Sequence, residues 1–182
     1  MKLSTAWRLN SNRASKSGVP VFRIMILAGL FAAPAFGRGI VIQASGAWAA
    51  IDYGGVCEAR ARSVRIAPKG KVQAIATFAF NPDHKRWGEF STRFSRMPRP
   101  GSSVLLTIGA QQFLLVSRGT SAWSRGPAQE QAIIAAVRTG QTLRIETRDQ
   151  AGRHYRDYYS LAGAPTAIDA AAARCASKMQ RS

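Results

Sequence analysis

Acidic side chains are scarce in this sequence: nine Asp and Glu stand against 26 Lys and Arg in 182 residues, a net charge of +17. Paired carboxylates for acid–base catalysis are therefore hard to assemble. Several of the acids also sit beside arginines, as in Glu58-Arg60, Glu146-Arg148 and Arg156-Asp157. Histidine is scarcer still, with only His84 and His154. A zinc site needs three or four convergent ligands. The two histidines are far apart, and no H-x-x-x-H or C-x-x-C spacing occurs, so no metal and no cofactor is expected. A G-x-S-x-G nucleophile elbow is missing, and Gly29, Gly37 and Gly39 lie beside the N-terminal apolar run rather than in a phosphate loop. With no constellation of residues in named catalytic roles, the chain reads as non-enzymatic. The alternative is a periplasmic enzyme whose active site the sequence conceals.

The apolar run Ile24 to Gly37 is also too short to cross a membrane. It holds fourteen residues without a charge, whereas a bilayer needs about 20, and Pro34 and Arg38 block an extension. In front of it, Met1 to Arg23 carries five basic residues (Lys2, Arg8, Arg13, Lys16, Arg23) and no acid. A basic leader, a short apolar run and small residues beyond make a secretory signal. Two A-x-A sites are available, Ala33-Pro34-Ala35 and Ala47-Trp48-Ala49. Residues 1–49 are thus expected to be signal peptide and border, and 50–182 a single β-rich domain. The mature chain would be periplasmic or secreted, with no transmembrane anchor. The leader and Arg38 account for six of the 26 basic residues and none of the nine acids, leaving 20 − 9 = +11 on the rest.

Cys57 begins a segment in which small residues alternate with charges up to Ser63, the period of a half-buried strand. Pro68-Lys69-Gly70 reads as a turn. A second strand is expected over Lys71–Phe80, with Val72, Ala74, Ala76, Phe78 and Phe80 on one face. After the Asn81-Pro82-Asp83-His84 turn, a third strand over Lys85–Ser95 puts Phe90, Thr92 and Phe94 on a shared face. Met97 to Gly101 is a loop. SVLLTI and QFLLVSR form a hairpin about Gly109-Ala110-Gln111, both runs apolar enough for central strands buried on both faces. The period then changes. Pro127 suits a first helical turn, Ala132, Ile133, Ala136 and Val137 follow at helical spacing, and Gly140 is expected to stop the helix in the left-handed conformation. QTLRIETRD and RHYRDYYSL make a last hairpin. Gly163-Ala164-Pro165 opens a closing helix with Ile168, Ala172 and Cys175 on one face. About seven short strands with two short α-helices predict a mainly β fold, an antiparallel β-sandwich or partly closed barrel.

A tryptophan and a cysteine near the start, a hydrophobic hairpin, Trp123-Ser124 before PAQEQAIIAAVRTGQ, and a hairpin ending in Tyr159-Ser160-Leu161-Ala162-Gly163-Ala164 before an Ala-rich helix form a recognisable order. In this order the chain resembles the invasion-associated locus B family of exported bacterial proteins, over about Trp48 to Ser177. The resemblance implies a periplasmic or secreted β-rich domain. The family is named for a role in bacterial entry into host cells, and the resemblance brings no chemistry with it.

Two expectations follow for named residues. Cys57 shares a strand face with Ala59 and Ala61, and Cys175 a helix face with Ile168 and Ala172. Both thiols then point inward, and in an oxidising compartment they should form a disulfide if the helix packs beside the first strand. Arg60, Arg62, Arg144 and Arg156 have the opposite, outward phase. If their strands are neighbours they form one basic face able to attract phosphate, sulfate or carboxylate polymers. Lys85, Arg86, Arg93, Arg96 and Arg99 add charge nearby. Aromatic residues interleave with these bases at Trp87, Phe90, Phe94, Tyr155 and Tyr158, as in stacking nucleic-acid binders. Export argues against nucleic acid, and anionic envelope or host-surface polymers are the expected partners.

Overall fold

In the computed structural model, residues 39–82 and 86–180 are described. The expected leader with its apolar run, the expected cleavage site at Ala33-Pro34-Ala35, and His84 lie outside them. The ten strands are β1 (Ile40–Ser45), β2 (Trp48–Asp52), β3 (Cys57–Arg62), β4 (Ile75–Phe80), β5 (Trp87–Arg93), β6 (Val104–Ile108), β7 (Gln111–Arg118), β8 (Ser121–Trp123), β9 (Thr142–Arg148) and β10 (His154–Ser160). Helix α1 (Pro127–Thr139) precedes β9, and α2 (Ala164–Met179) follows β10. All pairings are antiparallel, in one sheet of order β1-β2-β3-β4-β5-β8-β7-β6-β9-β10. The sheet curls until its last strand approaches the first three without closing a ladder. Ala47 N donates to Ala162 O (3.1 Å), and Val64 N donates to Tyr158 O (2.7 Å). Trp48 Nε1 donates to Ser160 O at 2.8 Å. The fold is mainly antiparallel β with two helices, as expected, and its ten-stranded sheet does not close, in keeping with a β-sandwich or partly closed barrel.

The core gathers the buried positions that alternate along β2, β3, β5, β9 and β10, together with most of β4 and β6. Trp48, Phe78, Phe90, Phe94 and Tyr159 are fully buried there. Trp48 tilts against Phe78 (5.7 Å between ring centroids), and Phe78 meets Phe90 edge-on (5.2 Å). Burying each such ring contributes roughly 1.5–3 kcal/mol. Helix α2 lays Ala164, Ala167, Ile168, Ala171 and Cys175 against the first strands. Its alanines allow close approach to Ala50 and Ala59, which have no exposed surface. Cys175 forms a disulfide with Cys57, Cα atoms 5.8 Å apart, closing a sequence separation of 118 residues. Asp52, paired with Cys57 in the β2–β3 register, fastens the end of the same helix. It accepts hydrogen bonds from Arg174 Nε (2.7 Å) and Gly54 N (2.8 Å) and from Lys178 Nζ.

The β1–β2 turn docks onto the β10–α2 junction so closely that only glycine fits. A Cβ on Gly163 (φ +84°) would lie 1.9 Å from Ser45 O, and one on Gly46 (φ +55°) 2.2 Å from Ala162 O. Positive φ and backbone contact together exclude a side chain at both positions.

Several local expectations need correction. The described residues hold ten strands rather than about seven: β1 and β2 begin ahead of residue 50, and three-residue β8 is too short to show a period. The strand expected from Lys71 begins only at Ile75, and Val72 is 51 % exposed. β7 is not buried on both faces, since Leu114 and Val116 are exposed. Gly140 ends α1 in extended backbone (φ −81°, ψ 161°) rather than left-handed, and its N–H still caps Ala136 O.

Candidate binding cleft beside the last strand

β10 is an end strand of the sheet, and its alternation divides its residues cleanly. Tyr155, Asp157 and Tyr159 are buried, while His154, Arg156 and Tyr158 face outward. The buried set ties β10 to the loop after β5. Asp157 accepts from Ser95 N (3.0 Å) and Ser95 Oγ (2.6 Å), and Tyr155 OH donates to Arg96 O at 2.8 Å. Burial pushes the Tyr155 and Tyr159 hydroxyls well above their usual range, so both stay protonated.

Opposite β10 stands the segment between β3 and β4, residues 63–74. It belongs to neither strand because one side chain holds it in a different shape. Gln73 Nε2 donates to Ser63 Oγ (2.7 Å), and Gln73 Oε1 accepts from Ala67 N (2.8 Å). Lys71 N closes the Pro68–Gly70 turn onto Pro68 O at 2.9 Å. Val64 N hydrogen-bonds the segment to Tyr158 O of β10, and the two line a cleft of about 460 Å³. Arg65, Lys71, Arg96 and Arg156 line it together with exposed Ile66 and Val72. The one carboxylate lining it, Asp157, is buried and already taken by Ser95.

The four arginines expected to share a face are separated. Arg60 is drawn to its own strand, 3.4 Å from Glu58, and donates to Tyr53 OH at 2.7 Å. Arg62 is exposed at the end of β3 with no pairing side chain among the described residues. These two line a second, wider depression with Trp48 and Ser160. Arg144 and Arg156 instead converge on one carboxylate, Glu146, with Arg144 Nη2 2.8 Å from Oε2 and Arg156 Nε on Oε1. The hydrogen bond from Arg156, outweighing desolvation, holds the Glu146 carboxyl below its usual range. The same contact raises the Arg156 guanidinium.

Of the four, only Arg156 reaches the cleft. Arg65 and Lys71, which complete it, were missed because the period-2 pattern around Val72 reads as strand. The Pro68-Lys69-Gly70 turn between two basic residues was the available signal. Among the described residues, no three His, Cys, Asp or Glu side chains converge as a metal site. No described helix is long and apolar enough to cross a membrane.

Charge is distributed unevenly across the molecule. Asp83 lies outside the described residues; of the other eight acids, Asp52, Glu130, Asp149 and Asp157 are buried and Glu58, Glu89 and Glu146 are half-buried. Only Asp169 is exposed, and Arg138 pairs with it at 2.6 Å. Acids are rarely buried unless paired, and these have partners: Glu130 accepts from Ser124 Oγ (3.1 Å). Asp149 accepts from Ala151 N and Arg153 N (3.0 Å each) and from Arg153 Nε (3.1 Å). Burial would raise the Asp149 carboxyl, but these bonds bring it below its usual range. No family model matches the chain, and no curated protein or solved structure does.

Proposed function

We propose that this is an exported, non-enzymatic domain that works by holding anionic polymers of the cell envelope or of a host surface against its basic exterior. The resemblance to the invasion-associated locus B proteins supports the exported, β-rich part of this reading, and the basic surface supports the rest. The observation that carries the reading is the withdrawal of the carboxylates. With the acids turned inward as hydrogen-bond acceptors and Arg62, Arg65, Lys71 and Arg156 turned outward, the +11 of the chain beyond Arg38 is displayed with little opposing charge. Such a surface attracts polyanions over roughly a Debye length, about 8–10 Å at physiological salt. The cleft beside β10 concentrates it, because Arg65 and Lys71 have no carboxylate partner among the described residues and Arg156 shares its own with Arg144.

Heparin chromatography of the exported chain tests this. The protein should be retained and should elute with salt. Arg65→Gln, Lys71→Gln and Arg156→Gln together should lower the eluting salt concentration clearly. Arg138→Gln, which removes a cation already committed to Asp169, should change it far less. Passage through the column at low salt without retention would end the reading.

A further inference from the structure

The cleft has a second property that simple charge attraction leaves unused. In an antiparallel strand, alternate residues point both backbone groups toward the same neighbour. Tyr158 O accepts from Val64 N, and Ser160 O accepts from the Trp48 indole, both on the side away from β9. By the two-residue period, the N–H and C=O of His154 and Arg156 point that way too, into the cleft. No described residue pairs with them. An unpaired strand edge is a template for another strand. Here it is walled by exposed Ile66 and Val72 and rimmed by Arg65, Lys71, Arg96 and Arg156.

We propose that the β10 edge accepts an extended acidic peptide segment, which adds to the sheet beside His154–Tyr158 with its carboxylates against this basic rim. The inference rests on the anion-binding reading and narrows it to a partner class. Two observations favour a peptide over a sulfated or phosphorylated polymer. The edge presents carbonyl acceptors and N–H donors at the regular spacing of a strand, which a peptide backbone matches residue by residue and a glycan or phosphate polymer does not. The walls also offer apolar side chains between the charges, which suits a segment alternating acidic and aliphatic residues, since successive side chains of a strand point to opposite faces. Main-chain bonds then supply affinity and the alternating side chains supply selectivity. The volume of about 460 Å³ is within the range of ligand sites.

The test uses the unaltered exported chain and a fluorescent peptide of alternating Glu and Val, followed by fluorescence anisotropy. Two further peptides carry N-methyl groups, one on every Val amide and the other on every Glu amide. Only one set of amides can face β10, so one methylated peptide should bind roughly tenfold more weakly and the other nearly as well as the parent, as expected for losing one or two hydrogen bonds. A Lys–Val peptide should not bind. Equal affinity of both methylated peptides overturns strand addition. Heparin retention without any binding of the Glu–Val peptide overturns the inference while leaving the anionic-polymer reading in place. Absence of both removes the two together.

Discussion

The α2 end of the molecule and the β10 cleft use the same cations in opposite ways. Beside α2, Arg174 and Lys178 converge on Asp52, a carboxylate 5 % exposed, and the disulfide lies on the same strand pair. At the cleft, Arg65 and Lys71 meet no carboxylate among the described residues, and Arg96 and Arg156 each share one with another arginine. A single buried acid turns surface charge into a clamp; without one, the charge stays available to a partner. The clamp should therefore govern stability and the cleft should govern binding, and changes to one should leave the other in place.

The largest effect is expected from the cross-link. Closing a 118-residue separation contributes, in the chain-entropy model, roughly 4–5 kcal/mol as an upper figure. Reduction, or Cys57→Ser with Cys175→Ser, should lower Tm by on the order of 10–20 °C without changing heparin retention measured well below the transition. Calorimetry with and without reductant measures it. Thiol titration of the denatured, unreduced protein should find no free thiol.

Next comes the contact that seats α2. Gly163→Ala places a Cβ 1.9 Å from Ser45 O and should cost about 2–4 kcal/mol. Gly54→Ala, also at positive φ but with nothing within 4 Å, should cost only about 1–2 kcal/mol. Urea midpoints compare the two directly, and equal losses would show that backbone conformation rather than the contact sets the cost.

Asp52 makes the clamp sensitive to acid. Burial raises its pKa, but Lys178, Arg174 and the Gly54 N–H outweigh this and lower it from 3.8 to about 2. A depressed folded-state pKa contributes stability that is complete above the unfolded value near 4 and is lost as pH falls toward 2. Discounted for the solvent that reaches Arg174, this is about 1–2 kcal/mol. Stability measured from pH 5 to pH 2 should fall by that much more in the native protein than in Asp52→Asn. Parallel curves would assign the acid response to other carboxylates.

The smallest effect belongs to the cleft. Gln73→Ala removes the bonds that shape residues 63–74, a loss of about 0.5–1.5 kcal/mol confined to that segment. Amide exchange at Ala67 should quicken while Tm barely moves. Binding of the acidic peptide should weaken, because Arg65 and Lys71 lose their placement.

The parts of this comparison differ in how far they were legible from sequence. The clamp side was readable because its signals are local. Alternation puts Cys57 inward, helical spacing puts Cys175 inward, and both phases survive in the structure. The positions of β3, β9, β10 and both helices were readable for the same reason. The cleft was not readable, because Arg65 and Lys71 meet Arg156 only through a strand order that no local period encodes. Gln73, which bends the chain away from the expected strand, looks in sequence like any polar residue on a strand. Sharing of Glu146 by Arg144 and Arg156 likewise depends on a cross-strand register, and the burial of Asp52 and Asp157 on partners distant in the chain. β1 and β2 were hidden by their nearness to the apolar leader, which draws Trp48 into a cleavage pattern instead of a core.

Were the N-terminal leader a cleaved signal, Trp48 would bear on the place of the cut. Trp48 is 1 % exposed and its indole reaches across to Ser160 O. If the leader is removed at Ala47-Trp48-Ala49, the peptidase discards β1, the indole and the Ser45–Gly46 turn against which Gly163 is seated. The remaining chain would then have to fold with a hole beside Phe78. A cut at Ala33-Pro34-Ala35 leaves all of them in place. Of the two products such a cleavage could give, only the one cut at Ala33-Pro34-Ala35 would retain β1 and the buried tryptophan.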